Sequence, residues 1–269
     1  MHNWKNGRWS LSEKMSSTNS KKITAFRREV WSHYKRHGRY DLPWRKTNDP
    51  YKVLVSEMML QQTQVPRVIA KYKSFIKQFP TIQKLAKASF SEVLKAWNGL
   101  GYNRRAKYLH ETAKKLSTKR QLTAADFDGL PGVGPYSRSA IRVFAFNKPD
   151  ILIETNIRTA VLHHFYSSIL QNTRISDKEL MTCLRDAAKR QEPREWHWAL
   201  MDYGAHLKRS GVHNNHRSAH YAKQSKFEGS LRQVRGAILR ELSVGSMTEA
   251  AVRRRLYTKK RWRDWRRMG

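Results

Sequence analysis

Thiols are nearly absent from this 269-residue chain, whose single cysteine is Cys183. That excludes an intrachain disulfide and any metal or iron–sulfur site built from four cysteines. Acidic residues are scarce too: 21 Asp and Glu stand against 54 Lys and Arg, for a formal net charge of +33. A compact protein so imbalanced repels itself unless its partner is a polyanion, and nucleic acid is the obvious one. Long apolar runs are also missing. No stretch approaches the roughly 20 residues that cross a bilayer, and no signal-peptide core follows the start. The expectation is a soluble, intracellular protein without membrane contact, cytoplasmic and associated with a bacterial nucleoid. A targeting role for the N-terminal segment stays open. Hydrophobic content of 39% still allows a real core, in one large domain or two interleaved lobes.

Almost nothing reads as a strand. Residues 1–21 mix Ser, Asn, Lys and Trp without apolar periodicity and read as a mobile basic arm. Helical spacing runs from Ile23 to His37 (Phe26, Val30, Tyr34), and Asp49-Pro50 starts a helix over about 51–64. Further helical segments read at about 66–78, 82–86, 90–97, 103–116, 135–146, 156–170, 177–190 and 195–207. Short helices alternating with polar turns predict an all-α fold.

Three segments carry chemistry. In Ser56-Glu57-Met58-Met59-Leu60-Gln61-Gln62-Thr63 one carboxylate sits among apolar residues, and amides follow a turn later. Apolar surroundings favour the protonated acid, and amides suit the edges of bases, so the pattern points to proton donation to a nucleobase in DNA. In Leu130-Pro131-Gly132-Val133-Gly134-Pro135-Tyr136 two glycines let the backbone turn sharply before a helix opened by Pro135. Amides at Gly132, Val133 and Gly134, with Ser137 behind them, make an anion nest able to hold one DNA phosphate. A monovalent cation at the hairpin is the one ion left open as a cofactor. The plain alternative is an ordinary helix–turn–helix corner. In Ile151-Leu152-Ile153-Glu154-Thr155-Asn156 an apolar run delivers a carboxylate to the start of a helix, with Thr155 as the expected cap. A helix N-terminus favours negative charge, so Glu154 is expected ionised and Glu57 protonated, the two states that acid-assisted cleavage through a cationic intermediate requires. The plain alternative makes Glu154 a capping residue and Glu57 a surface acid.

From about Leu42 to Gly204 the chain resembles the helix–hairpin–helix DNA glycosylases and, within them, the MutY adenine glycosylases. The resemblance is carried by LPWR at 42–45, PYKVLVSEMMLQQTQV at 50–65, WNGLGYNRRAKYLH at 97–110, LPGVGPY at 130–136 and MDYGAH at 201–206. It implies two helical lobes with double-stranded DNA, mismatched or damaged, bent across the cleft between them, and a protein acting as a monomer. The lobes would be 22–50 with 150–225, carrying Glu154, and 51–149, carrying Glu57 and the hairpin. By position, Glu57 looks like the acid that protonates adenine. Gln61 and Gln62 look like residues inserted at the lesion, beside Arg104. Tyr102 looks like the wedge that fills the emptied stack, its alternative being a core tyrosine. Tyr136 falls where bifunctional relatives carry a Schiff-base lysine, which implies a monofunctional enzyme. Tyr136 would instead donate a hydrogen bond near the sugar or the carboxylate, and Asn156 would hold Glu154.

Three departures stand out. The family's aspartate is replaced by Glu154, longer by about 1.5 Å. The four cluster cysteines after MDYGAH are replaced, on gapless spacing, by Lys208, Asn215, Ser218 and Gln224, so no iron–sulfur cofactor is expected. The loop would be held there by packing or by phosphate contacts from Lys208, Arg209 and Arg217. His206, His213, His216 and His220 fall in the same loop without a strong metal-ligand spacing, and no metal is expected. Finally, a β-rich domain that reads 8-oxoguanine is usual in the family, whereas residues 226–269 read here as a basic extension with helices at 230–242 and from Thr248, a small helix–turn–helix with Arg253, Arg254 and Arg255 and a Trp-containing tail. The reading is a clusterless monofunctional glycosylase of base excision repair that removes adenine opposite 8-oxoguanine or guanine. Its alternatives are a same-fold enzyme removing uracil, thymine or a deaminated purine, and a non-catalytic DNA-binding protein on this scaffold.

Overall fold

A computed structural model of the chain describes residues 11–167, 173–219, 226, 228 and 230–258. Among them the regular structure is helical: α1 (Leu11–His37), α2 (Pro50–Leu60), α3 (Val65–Gln78), α4 (Ile82–Lys87), α5 (Phe90–Trp97), α6 (Arg104–Leu116), α7 (Pro135–Phe144), α8 (Thr155–Tyr166), α9 (Asp177–Ala188), α10 (Pro193–Arg209), α11 (Leu231–Val244) and α12 (Glu249–Thr258), with short 3-10 turns at Pro43–Arg45, Ala124–Phe127 and Asn215–Arg217. The only β pairing among the described residues is an isolated bridge between Ile175 and Ser218. No helix of the described residues is long and apolar enough to cross a membrane.

Two differences from the sequence expectation have simple causes. Residues 11–21, read as part of an arm, belong to α1, because nothing from Leu11 to His37 is Gly or Pro to break the helix. Residues 1–10, and the tail at 259–269, lie outside the described residues. The helix expected to reach Gln64 ends at Leu60, because Gln61 takes a ψ of 112° and Gln62 a left-handed φ of 55°, neither of which continues a helix.

The chain divides into two compact units, 1–46 with 138–221 and 47–137 with 222–269. The boundary therefore falls inside α7 rather than at 149. Residues 138–149 go with the first unit because Phe144 stacks on Trp198, Arg194 donates to the carbonyls of Phe144 and Ala145, and Arg142 pairs with Asp150. The C-terminal extension groups with the second unit.

In the first unit Phe26, Val30, Leu152, Ile157, Val161, Leu184, Trp196 and Leu200 are buried. Arg27 donates to the carbonyls of Asp186, Ala187 and Lys189, closing the C-terminal end of α9. The motifs LPWR and MDYGAH meet through one buried ion pair. Arg45 Nη1 and Nη2 each lie 2.8 Å from an Asp202 carboxylate oxygen, and Arg39 adds bonds of 2.8 and 2.6 Å through its backbone N and Nε. Burial pushes the Asp202 carboxyl up, but the hydrogen bonds and charges of Arg45 and Arg39 outweigh it and hold the carboxyl below its ordinary value. The folded value lies below the unfolded one, so the contribution is complete above roughly pH 4 and is lost as pH falls through the folded value. Asp202→Asn strands a guanidinium only 4% exposed, and is expected to cost about 3–5 kcal/mol. Thermal unfolding at pH 7 should show that loss, and the gap from the parent should close below roughly pH 4.

In the second unit α2 is the central helix. Every residue from Val53 to Met59 is buried, and Phe75, Trp97, Leu109 and Phe127 pack in the same core. A helix apolar on all sides belongs inside, and Ser56 and Glu57 are the polar residues in that run.

Candidate active site

Glu57 is 7% exposed, one turn before α2 ends. Beyond it the chain turns sharply, and the device that fixes the turn is a residue the sequence reading passed over. Arg105 is buried and donates to the carbonyls of Met58 (2.7 Å), Met59 (3.1 Å), Gln61, Leu100 (3.2 Å) and Gly101 (3.1 Å), and to the Thr63 hydroxyl (3.1 Å). It thus satisfies the carbonyls that the end of α2 leaves without partners and ties them to the turn before α6. Its guanidinium stacks against both Trp97 and Tyr102 at 5.5 Å. Burial lowers it to about 10, still a cation at neutral pH. The signal was present: Arg105 shares the buried stripe of Leu109, Thr112 and Leu116 on α6, an odd place for a solvated arginine. Its neighbour Arg104, named for DNA, is exposed.

Around that clamp lie the residues expected at a lesion. Gln62 is exposed, and Tyr102 is 36% exposed with a left-handed φ of 47°. Tyr102 is therefore not a core residue, and two non-glycine residues held at positive φ mark a site where strain is tolerated. Gln61 turns inward, donating from Nε2 to the Ser137 hydroxyl at 3.1 Å. Ser137 is buried, so its hydroxyl serves this internal bond rather than facing a phosphate.

The hairpin is a Pro131–Gly132 turn closed by the Val133 amide on the Leu130 carbonyl at 3.1 Å. Gly132 has φ +72° and a β-carbon there would crowd Met58 and Tyr108 at 2.8–2.9 Å, the signature of a type II turn with no room for a side chain. The Val133 amide is thus spent on the turn and does not point outward as expected. Gly134 is exposed with open space where a β-carbon would be, and Pro135 begins α7. Tyr136, half-buried, follows in the first turn of α7.

In the first unit Glu154 itself, not Thr155, is the cap of α8. Oε1 accepts from the Ile157 amide (2.9 Å). Oε2 accepts from the Asn156 amide (2.9 Å), Asn156 Nδ2 (3.1 Å) and the Thr155 hydroxyl (3.1 Å). The side chain curls back onto its own helix, so the glutamate is held there despite its length. Asn156 holds Glu154 as expected, and Lys208 stands behind it, with Nζ 3.3 Å from Asn156 Oδ1. A lysine can only donate, so it fixes which end of the amide faces Glu154. Lys208, expected on phosphate, thus belongs to this relay, whereas Arg209 is exposed at the end of α10. Replacing Lys208 by Met is expected to slow single-turnover base release about tenfold with little change in affinity for undamaged duplex. A pure phosphate contact would give the reverse.

The loop after α10 is held by polar contacts to α8 and beyond. Asn214 and Asn215 donate to the carbonyl and hydroxyl of Thr159 at 3.1 and 2.8 Å, Arg217 donates to the Tyr166 carbonyl at 2.9 Å, and Ser218 joins the bridge to Ile175. Arg217 is buried, so of the two ways expected for holding this loop it serves packing and not phosphate. These residues do not fit an iron–sulfur cluster: Lys208, Asn215 and Ser218 carry no thiolate, and Cys183 lies on α9. Gln224 and His220 lie outside the described residues. His206 stacks on His33 at 4.5 Å, and no group of three or more His, Cys, Asp or Glu among the described residues could hold a metal.

A helical scaffold with a glycine hairpin and a buried glutamate on its central helix defines a class of DNA base excision proteins, and comparison with known proteins agrees. Residues 55–186 match the family model described as HhH-GPD superfamily base excision DNA repair protein. A thermostable thymine-DNA glycosylase structure superposes with a TM-score of 0.60 at 24% identity, over 75% of this chain and 97% of that one, which concerns the fold. The chain is 35% identical over 184 residues to adenine DNA glycosylase of Buchnera aphidicola, covering 67% of this chain and 52% of that protein. It is 33% identical over 223 residues to the Mycolicibacterium smegmatis adenine DNA glycosylase, covering 76% and 75%. The chain belongs to the helix–hairpin–helix base excision repair superfamily, in its MutY-like branch of adenine DNA glycosylases. It spans about half to three quarters of the length of these relatives.

Proposed function

We propose that the protein is a monofunctional DNA glycosylase that hydrolyses the N-glycosidic bond of adenine mispaired with 8-oxoguanine or guanine. The observation that carries this is Glu57, an acid on a helix otherwise packed into the core, directly before the turn that presents Gln62. Burial costs a carboxylate its hydration, which suits a group that must donate a proton. An adenine anion leaves poorly, so Glu57 protonates N7 of the extruded base. The bond to C1′ then breaks with its electron pair going to a neutral leaving adenine. Positive charge grows on the sugar, and Glu154, pinned at the start of α8, stabilises it until water adds to C1′ and loses a proton, which restores the Glu57 acid. Base extrusion precedes this, because the reacting atoms are inaccessible within the stack. Tyr136 supplies no amine for a Schiff base, so the product is an abasic site in an intact strand. Exposed Gly134 and the positive N-terminus of α7 suit one backbone phosphate.

The test is a panel of duplexes holding A opposite 8-oxoguanine, A opposite G, T or U opposite G, and hypoxanthine, each read with and without alkali. Adenine release that needs alkali to reveal strand cleavage supports the reading. Release of another base alone would keep the mechanism and overturn the substrate, a live outcome given Glu154 in the place of aspartate.

A further inference from the structure

Arg105 has no part in the chemistry above, yet its bonds fall at two particular places in the second unit. The carbonyls of Gln61 and Gly101 both accept from its guanidinium, and each belongs to the peptide that leads directly into a residue of left-handed φ. Those residues are Gln62, at 55°, and Tyr102, at 47°. A peptide plane moves as one piece, so a donor that grips its oxygen also fixes the N–H from which the next residue's φ is measured. Neither residue is glycine, and a side chain at positive φ is strained. Without a grip, each turn would relax to negative φ and swing its side chain away. One rigid planar cation holds both planes at once. Tyr102 is also held from its far side: its carbonyl accepts from the Arg105 amide at 2.9 Å, and its ring centre lies 5.5 Å from the guanidinium carbon. The carbonyls of Met58 and Met59 anchor the same guanidinium to the end of α2, and the buried Trp97 ring packs against it. The relative placement of Gln62 and Tyr102 is thus set by the span of one guanidinium, not by two loops that move independently.

We propose that Arg105 is a positioning residue for base extrusion, holding Gln62 and Tyr102 as one pre-set unit so that both enter the stack together. The proposal rests on the glycosylase reading, in which these two side chains fill the gap left by the adenine. Because the unit is ordered before DNA arrives, loosening it should weaken the opening of the duplex and leave the grip on phosphate and the proton transfer intact.

Arg105→Lys keeps the buried charge, but its three N–H bonds diverge from one nitrogen and cannot span both turns as the fork does. Thr63→Val is milder: it removes one acceptor of Arg105 Nη2 at 3.1 Å and keeps the side chain's shape, so it carries the test where Arg105→Lys does not fold. Extrusion is read in the full chain carrying Glu57→Gln, which leaves the base attached. The duplex holds 2-aminopurine, an adenine analogue that brightens on unstacking, in the place of the target adenine opposite guanine. At saturating protein, Glu57→Gln alone should brighten it. Adding Arg105→Lys should lower that signal about tenfold, and adding Thr63→Val should lower it less, with affinity for undamaged duplex within a few-fold throughout. With Glu57 intact, Arg105→Lys should release adenine in single turnover about tenfold more slowly than the parent when guanine stands opposite. It should come within a few-fold of the parent when an abasic analogue stands there, because that adenine has no pair to leave. A merely structural defect would slow both duplexes alike. No brightening with Glu57→Gln alone, brightening that both added substitutions preserve, or equal slowing on the two duplexes overturns the proposal. If the parent releases adenine from no duplex, the glycosylase reading fails, and the fluorescence comparison still decides whether Arg105 positions the two side chains.

Discussion

Glu57→Gln is expected to lower single-turnover adenine release by roughly three orders of magnitude, the usual contribution of a positioned general acid, while leaving the fold in place. The amide is the same shape as the acid, so the packing of a residue only 7% exposed on α2 is kept and only the transferable proton is lost. Duplex affinity should stay within a few-fold of the parent, because the contacts that grip DNA lie elsewhere. The comparison with Glu154→Gln is informative. That carboxylate accepts four hydrogen bonds at the start of α8, and an amide cannot accept from all of them. Its loss should therefore combine weaker stabilisation of the sugar cation with a poorer helix cap, costing about 1 kcal/mol of stability. Equal thermal stability of Glu57→Gln and the parent, beside a small drop for Glu154→Gln, would separate a purely chemical role from a mixed one.

Gly204→Ala should be the most damaging glycine-to-alanine change among the described residues. A β-carbon at Gly204 would fall inside the backbone carbonyl of Asn156, and a backbone cannot step aside as a side-chain tip can. α10 and α8 must separate or tilt, at a cost of at least about 1–3 kcal/mol for overpacking. The consequence extends beyond stability. The first turn of α8 carries Glu154 and Asn156, and Lys208 reaches Asn156 from α10, so moving one helix against the other breaks the relay. Base release by the folded fraction should fall more than tenfold, measured in single turnover at a temperature where circular dichroism shows the variant folded. Unchanged release would mean that the approach of the two helices is not what positions Glu154.

Much of this was legible in the sequence because the signals were local. Asp49-Pro50, Pro131-Gly132 and the stripe on α6 announce their structures through dihedral preference and period, and α5 was placed at its observed bounds. What escaped depends on distant partners. Nothing near Gly204 in the chain says that Asn156 will press against it, so MDYGAH could be recognised but not explained. Arg105 lies beside the exposed Arg104, and basic pairs are usually solvated in a chain with 54 Lys and Arg, so a buried clamp was hidden by composition. Lys208 was assigned to phosphate for the same reason and Ser137 for its place behind the hairpin, whereas each is turned to an internal partner, Asn156 and Gln61. Capping by Glu154 was one of two readings the sequence left open beside Thr155, a choice between adjacent side chains that helix propensity alone does not resolve.

The central claim is that an acid on α2 expels adenine as a neutral base. The most direct measurement is single-turnover release of free adenine from a duplex holding A opposite 8-oxoguanine, by the parent beside Glu57→Gln. The account predicts adenine release by the parent, an intact strand until alkali is added, and near-complete loss in the variant. Release by Glu57→Gln at the parent's rate, or no adenine from the parent on any duplex that it binds, would contradict it.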